Sequence, residues 1–274
     1  MSTTSVRVDA PWLPAGGPLE LAGRGTTFVR HSPAPPGRPT LLLLHGLSVT
    51  ADANWFPAYP ALVERYGIVA IDHRGHGRGI RAERRFRLAD CADDAVAALD
   101  ALGIEQTIAV GYSMGGPIAQ LVWHRHRERT HGLVLCATTH RFRGLEPLRD
   151  LPTAFAMRAR ATGAAPSRRG QIDGGLRRWL AHEIARTDRA TAMQAGLSLA
   201  RYDASGWIRT LDVPHAVVIT DRDAAIVPPR QQRLAQALPS PTVVHANIDH
   251  TGCVTRPAVF VPALLDALDA VAPD

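Results

Sequence analysis

The sequence of 274 residues contains no lysine, so all 31 basic residues are arginine; 25 acidic residues leave a formal net charge of +6. This absence excludes a phosphate loop of the G-x-x-x-x-G-K-[ST] type, whose lysine must reach the phosphates. Arginine alone, in a chain rich in Ala, Gly and Pro, reads as compositional bias of a genome. Nucleic-acid binding asks for a basic stripe along one face. The densest basic stretch, HRHRERTH at 124–131, instead falls where a helix is expected to end, and the helix dipole favours cations there. No nucleic-acid partner is expected.

Cysteine is scarce as well. Cys91, Cys136 and Cys253 are the three present, none in C-x-x-C spacing. Neither a disulfide framework nor a zinc site follows, and no metal or cofactor is expected. No apolar run approaches the ~18 residues of a membrane span. Residues 1–21 lack a charged segment followed by an apolar core, so no signal peptide is expected. The expectation is a reduced, cytoplasmic protein whose sequence specifies no oligomeric state.

What is present is a regular alternation. TLLLLHG (40–46) is a short apolar run suited to a strand buried on both faces, GIVAID (67–72) is another buried strand, and TIAVGYS, GLVLCAT, HAVVIT (215–220) and PTVVHA (241–246) read as further strands. Helical spacing lies between them, as in RLADCADDAVAALDALGI (87–104), MGGPIAQLVWHRHR, PPRQQRLAQAL and PAVFVPALLDALDAV. The pattern predicts an α/β fold with a mostly parallel sheet flanked by helices. Residues 139–212 break it, with helical stretches near 151–162, 174–187 and 188–200. The expected organisation is a core of 1–138 and 213–274 with a helical insertion, 139–212, between its halves.

Within this pattern GYSMGG (111–116) has the form G-x-S-x-G between a strand and a helix. A strand turning directly into a helix brings the backbone against itself, so the positions two before and two after the serine must be small. The serine then sits strained at the apex beside the free N–H groups of the helix start, which suit an oxyanion. A plain strand-to-helix turn is the competing reading; no dinucleotide-type G-x-G-x-x-G is present there. A hydroxyl nucleophile needs a base, and the base needs orienting. His250, in NIDHTGC after the strand at 241–246, is placed to reach over the sheet edge. Asp223, in TDRDAAIVPP, lies at another strand end, with Asp221 as competitor; Asp249 reads as a turn residue. Oxyanion donors are expected from the backbone of Met114 and, after the strand at 40–44, of Leu47, which Gly46 allows to turn inward. His45 reads as structural.

These stretches, with IDHRGHGRG (71–79), make the chain resemble the α/β-hydrolase superfamily over nearly its whole length, and small bacterial serine hydrolases with a helical cap in particular. The resemblance implies Ser113 as nucleophile, His250 as base, Asp223 as orienting acid, Leu47 and Met114 as the oxyanion hole and 139–212 as the cap. It assigns His73 and His76 no catalytic part. Two departures stand out: Asp223 is followed by AAIVPP, one residue longer than the common pattern, and Asp249 replaces a small residue before the base. The implied activity is hydrolysis of a carboxylic ester, lactone or thioester in a small-molecule acyl substrate. Carbon–carbon bond hydrolysis, perhydrolysis, acyl transfer and non-catalytic ligand binding on the same fold are the alternatives. Haloalkane dehalogenases and epoxide hydrolases of this fold use Asp at the turn, which Ser113 disfavours. Arg158, Arg160, Arg168, Arg169, Arg177 and Arg178 suggest either docking of an acidic substrate or lipid head group or, more simply, a solvated helix face. Trp55, Phe56 and Trp179 fit either a pocket wall or packing between core and insertion.

Overall fold

The computed structural model describes residues 10–81, 85–142 and 174–272. Eight strands form one sheet: β1 (Gly16–Leu21), β2 (Gly25–Ser32), β3 (Thr40–Leu44), β4 (Gly67–Ile71), β5 (Thr107–Tyr112), β6 (Thr130–Cys136), β7 (His215–Thr220) and β8 (Thr242–Ala246). Their order is β1-β2-β4-β3-β5-β6-β7-β8. β1 pairs antiparallel with β2, and β2 with β4. Every other pairing is parallel.

The burial of each strand explains its composition. β4, β5 and β7 are buried at every position, as expected where helices cover both faces of a parallel sheet. At the edges, β1 alternates between exposed and partly buried residues, and β8 is mostly exposed. The β1–β2 hairpin is not among the strands read from the sequence. Its turn uses Gly23 at φ 69 and Gly25 at φ 109, a left-handed geometry that glycine adopts without a Cβ penalty.

Among the described residues the helices begin, in chain order, with α1 (Ala51–Trp55), α2 (Tyr59–Val63), α3 (Leu88–Ala101), α4 (Gly115–Arg125) and α5 (Gly174–Ala185). Then come α6 (Arg189–Ala200), α7 (Pro228–Ala237), α8 (Gly252–Thr255) and α9 (Pro257–Asp269). The one-turn helices α1 and α8 are too short to carry a period. One apolar cluster packs α3 and α4 on one face of the sheet; a second packs α1, α2 and α9 on the other. Among the described residues, no helix is long and apolar enough to cross a membrane.

Of the helical stretches expected within 139–212, those near 174–187 and 188–200 correspond to α5 and α6; that near 151–162 lies outside the described residues. Both helices are fastened to the sheet domain. Trp179 of α5 meets Phe56 edge to face at 5.2 Å between ring centroids, and both are buried, as is Trp55. Phe56 and Trp179 therefore pack the sheet domain against α5, while Trp55 packs within the core against Tyr112 and Phe260. The Thr50 hydroxyl donates to Glu183 of α5 at 3.0 Å, and the Phe86 N–H donates to Gln194 of α6 at 2.9 Å. Arg178 is exposed; Arg158, Arg160, Arg168 and Arg169 lie outside the described residues.

Candidate functional site

Because β3, β5, β7 and β8 run parallel, the loops leaving their C-terminal ends gather at one edge of the sheet, where open α/β sheets hold their sites. The turn from β5 into α4 holds Ser113 at φ 53, a left-handed conformation that costs a non-glycine residue about 1–2 kcal/mol. The surrounding glycines show what enforces it. A Cβ on Gly111 would fall 2.2 Å from the Gly115 carbonyl oxygen, and one on Gly115 would fall 2.0 Å from that of Leu44. One on Gly116 would meet the Thr138 hydroxyl at 2.2 Å. The turn is also held from the neighbouring strand. The Ser113 N–H donates to the Cys136 carbonyl at 3.0 Å, and the Thr138 hydroxyl donates to the Ser113 carbonyl at 2.8 Å.

His250 reaches this serine from the loop after β8. Its Nε2 lies 2.9 Å from Ser113 Oγ, and its Nδ1 lies 2.7 Å from Asp223 Oδ2. A carboxylate only accepts, so Nδ1 carries the proton and Nε2 presents its lone pair to the serine hydroxyl. The Tyr112 hydroxyl donates to the His250 carbonyl at 2.9 Å, fixing the base loop to the residue beside the serine. Asp249 accepts from the N–H and hydroxyl of Thr251 at 2.9 and 2.8 Å, shaping the turn that follows.

Asp223 is buried and fully engaged. Its Oδ1 accepts from the N–H groups of Ala225 and Ile226 at 2.8 and 2.9 Å, and its Oδ2 from the Thr220 hydroxyl at 2.8 Å. Gln231 of α7, buried as well, accepts from the Thr220 N–H at 3.0 Å. Its Nε2 donates to the Thr220 hydroxyl oxygen at 2.8 Å and to the Ile226 carbonyl at 2.6 Å. The extra residue in AAIVPP is thus absorbed in a loop folded around the carboxylate. Asp221 does not enter the site; it pairs with His245 at 2.8 Å.

The loop after β3 completes the arrangement. A Cβ on Gly46 would lie 3.4 Å from Ser113 Cβ, so this loop runs directly beside the serine. The Gly46 N–H donates to Asn54 Oδ1 at 3.0 Å, and its carbonyl accepts from His45 Nδ1 at 2.7 Å. Among the described residues, neither the Leu47 nor the Met114 N–H donates a hydrogen bond. His45 Nε2 accepts from the His73 N–H at 3.0 Å. Burial pushes His45 down to about 4 and, with the neighbouring His45 ring adding to it, His76 down to about 3. Both are neutral struts. Asp72 likewise serves its loop, accepting from the N–H groups of Ala51 and Arg78 at 2.8 and 2.9 Å.

Ser113, Asp223 and His250 are therefore brought into one hydrogen-bonded line, with Leu47 and Met114 in the adjoining turns. Thr138, Gln231, Thr220, Asn54 and Tyr112 support this line and were not singled out in the sequence. Gln231 carried a signal, since it shares a buried stripe with Leu234 and Leu238 where an apolar residue is the rule. All three cysteines are free and buried, and among the described residues no cluster of His, Cys, Asp and Glu could hold a metal ion.

Residues 39–179 match the family described as alpha/beta hydrolase fold. Epoxide hydrolase B of Mycobacterium tuberculosis is 34% identical over 134 residues, which is 47% of this chain and 37% of that protein. The chain thus spans well under half the length of this curated relative. A pimeloyl-[acyl-carrier protein] methyl ester esterase of Aeromonas hydrophila is 28% identical over 242 residues, 81% of this chain and 92% of that protein. Among solved structures, a hydrolase from Pseudomonas aeruginosa superposes with a TM-score of 0.77 at 20% identity, covering 93% of this chain and 98% of the other. That likeness is one of fold.

Proposed function

Since the chain belongs to the alpha/beta hydrolase fold family, we propose that it is a serine hydrolase cleaving carboxylic esters, with lactones and thioesters as related substrates. The observation that carries this reading is the bridging position of His250, 2.9 Å from the Ser113 hydroxyl and 2.7 Å from the Asp223 carboxylate.

The chemistry follows from those distances. As Ser113 Oγ attacks the substrate carbonyl carbon, His250 Nε2 takes its proton, and Asp223 stabilises the imidazolium that forms. The oxyanion accepts from the Leu47 and Met114 N–H groups, whose lack of other acceptors leaves them available. Collapse expels the alcohol, which leaves with the proton held on His250, and an acyl-serine ester remains. Water, deprotonated by His250, attacks that ester and releases the acid. Epoxide opening is a poor fit: a serine would be left as an alkyl ether, which activated water does not cleave, whereas an acyl ester is cleaved readily. To residues 139–212 we assign the part of a cap, its described helices α5 and α6 being docked on the sheet domain.

The reading is tested with p-nitrophenyl esters from acetate to palmitate, wild type beside Ser113→Ala, together with intact-mass detection of a fluorophosphonate adduct. Turnover and a single adduct in wild type, both absent in the variant, are expected. A wild type as inert as the variant across the series, with no adduct, would overturn it.

A further inference from the structure

A cavity outside the triad's own lining carries a separate group of side chains. Of about 580 Å³, it opens where the chain leaves β6 and passes α7. His140 and Arg141 reach it from the end of β6, Ser205 and Arg209 from the stretch before β7, and Arg230 and Arg233 from α7. Ser113, Asp223 and His250 do not line it.

Its charge is unbalanced. Arg141 is paired with Asp203 at 2.8 Å, but among the described residues no carboxylate pairs with Arg209 or Arg233. Arginines from three separate segments therefore line one cavity, and among the described residues Arg209 and Arg233 bring charge there with no carboxylate paired to them, an arrangement that raises the local potential. His140 also lines the wall, its Nδ1 buried and without a hydrogen-bond partner among the described residues. Burial, reinforced by Arg141 and Arg209, holds this ring below its ordinary pKa, so at neutral pH it is an uncharged hydrogen-bonding group.

We propose that this cavity binds a phosphate-bearing small molecule, anchored by Arg209 and Arg233 and completed by Arg141, Arg230 and His140. The geometry favours phosphate over a single carboxylate. A carboxylate offers one planar edge and one charge, enough for one guanidinium fork, whereas a phosphate or diphosphate presents oxygens in several directions with two or more charges. The volume leaves room for an organic body beside the anion. This site is independent of the reaction proposed for Ser113, and binding there does not require it.

The test is calorimetric titration with inorganic pyrophosphate at about 150 mM salt, which screens diffuse surface attraction, with citrate as a carboxylate of comparable charge. Wild type, Ser113→Ala and the control Arg38→Gln/Arg87→Gln, two exposed arginines elsewhere, are expected to bind pyrophosphate alike and citrate more weakly. Arg209→Gln/Arg233→Gln is expected to bind about a hundredfold more weakly, roughly tenfold for each guanidinium removed from the anion, with ester turnover unchanged. Should that pair misfold, Arg233→Gln alone supplies the comparison at about tenfold. No saturable pyrophosphate binding by wild type, or undiminished binding by the Arg209 and Arg233 variants, overturns the site. Citrate binding as tightly as pyrophosphate overturns the phosphate assignment.

Discussion

Asp221 Oδ1 lies 2.8 Å from His245 Nδ1, on the outer edge of the sheet, while the carboxylate two residues later turns inward. The backbone explains the split. The Asp221 N–H donates to the Ala246 carbonyl at 2.9 Å, prolonging the β7–β8 ladder and holding Asp221 beside its cross-strand neighbour. Asp223→Asn is therefore expected to lower kcat on a p-nitrophenyl ester by about 10³–10⁴, because the amide no longer enforces the tautomer that the base needs. Asp221→Asn should stay within about twofold of wild type. Equal effects in the two would remove the distinction.

At Ser113 the backbone and the hydroxyl can be separated. Both Ser113→Ala and Ser113→Gly are expected to lower kcat/KM by ~10³-fold or more. Only glycine relieves the left-handed backbone at φ 53, so Ser113→Gly should be more stable than Ser113→Ala by about 1 kcal/mol. Matched urea denaturation curves check this; a less stable glycine variant would contradict the strain.

The glycines after the serine are steric requirements of a different kind. Gly115→Ala would drive a methyl to 2.0 Å from the Leu44 carbonyl oxygen, a backbone atom with nowhere to go. A destabilisation of about 3 kcal/mol or failure to accumulate folded protein is expected, at or beyond the upper range for overpacking. Gly37→Ala, facing open space, should suffer only from its own positive φ. Soluble yield and melting temperature measure both.

Gln231→Leu keeps the volume of a buried side chain but leaves the Thr220 N–H and the Ile226 carbonyl without their side-chain partner. Stability should fall by about 1–3 kcal/mol for the unsatisfied groups. Because Thr220 also donates to Asp223, kcat should drop roughly tenfold with KM unchanged, an interaction felt in the transition state alone. A rise in KM at constant kcat would speak against positioning of the acid.

The neutral histidines behind the site set an acid limit. Burial lowers His45 to about 4 and His76 to about 3, from an unfolded value near 6.5. Between those values the unfolded chain binds more protons than the folded one, so stability is intact above about pH 6.5 and is lost as pH falls toward 4. Each ring contributes on the order of 3 kcal/mol at full titration. Urea midpoints should decline steadily from pH 7 to 4.5, less steeply in His76→Gln. A flat profile in wild type would show that these rings are not held neutral.

The fold was legible where burial is two-sided. TLLLL, GIVAI and HAVVIT are apolar over their central positions because helices cover both faces, whereas PTVVHA, read as a strand too, became the mostly exposed edge strand β8. The β1–β2 hairpin escaped because GGPLEL is half exposed and offers only a weak alternation. In the site, the serine was legible because steric crowding fixes its neighbours to glycine. The acid was ambiguous because TDRD places two carboxylates at one strand end, and which one turns inward depends on β8, a pairing that local sequence does not encode. Gln231 and Thr138 act on groups 8 and 25 residues away in sequence, beyond any local pattern.

The Tyr112 hydroxyl bonded to the His250 carbonyl joins residues 138 apart in sequence. Nucleophile and base thereby ride on a common anchor: any outward swing of the histidine loop pulls against the strand that carries the serine. An aspartate can stand before the base, where a smaller residue is more usual, because the loop is registered from behind through the His250 carbonyl while the Asp249 carboxylate turns away to Thr251.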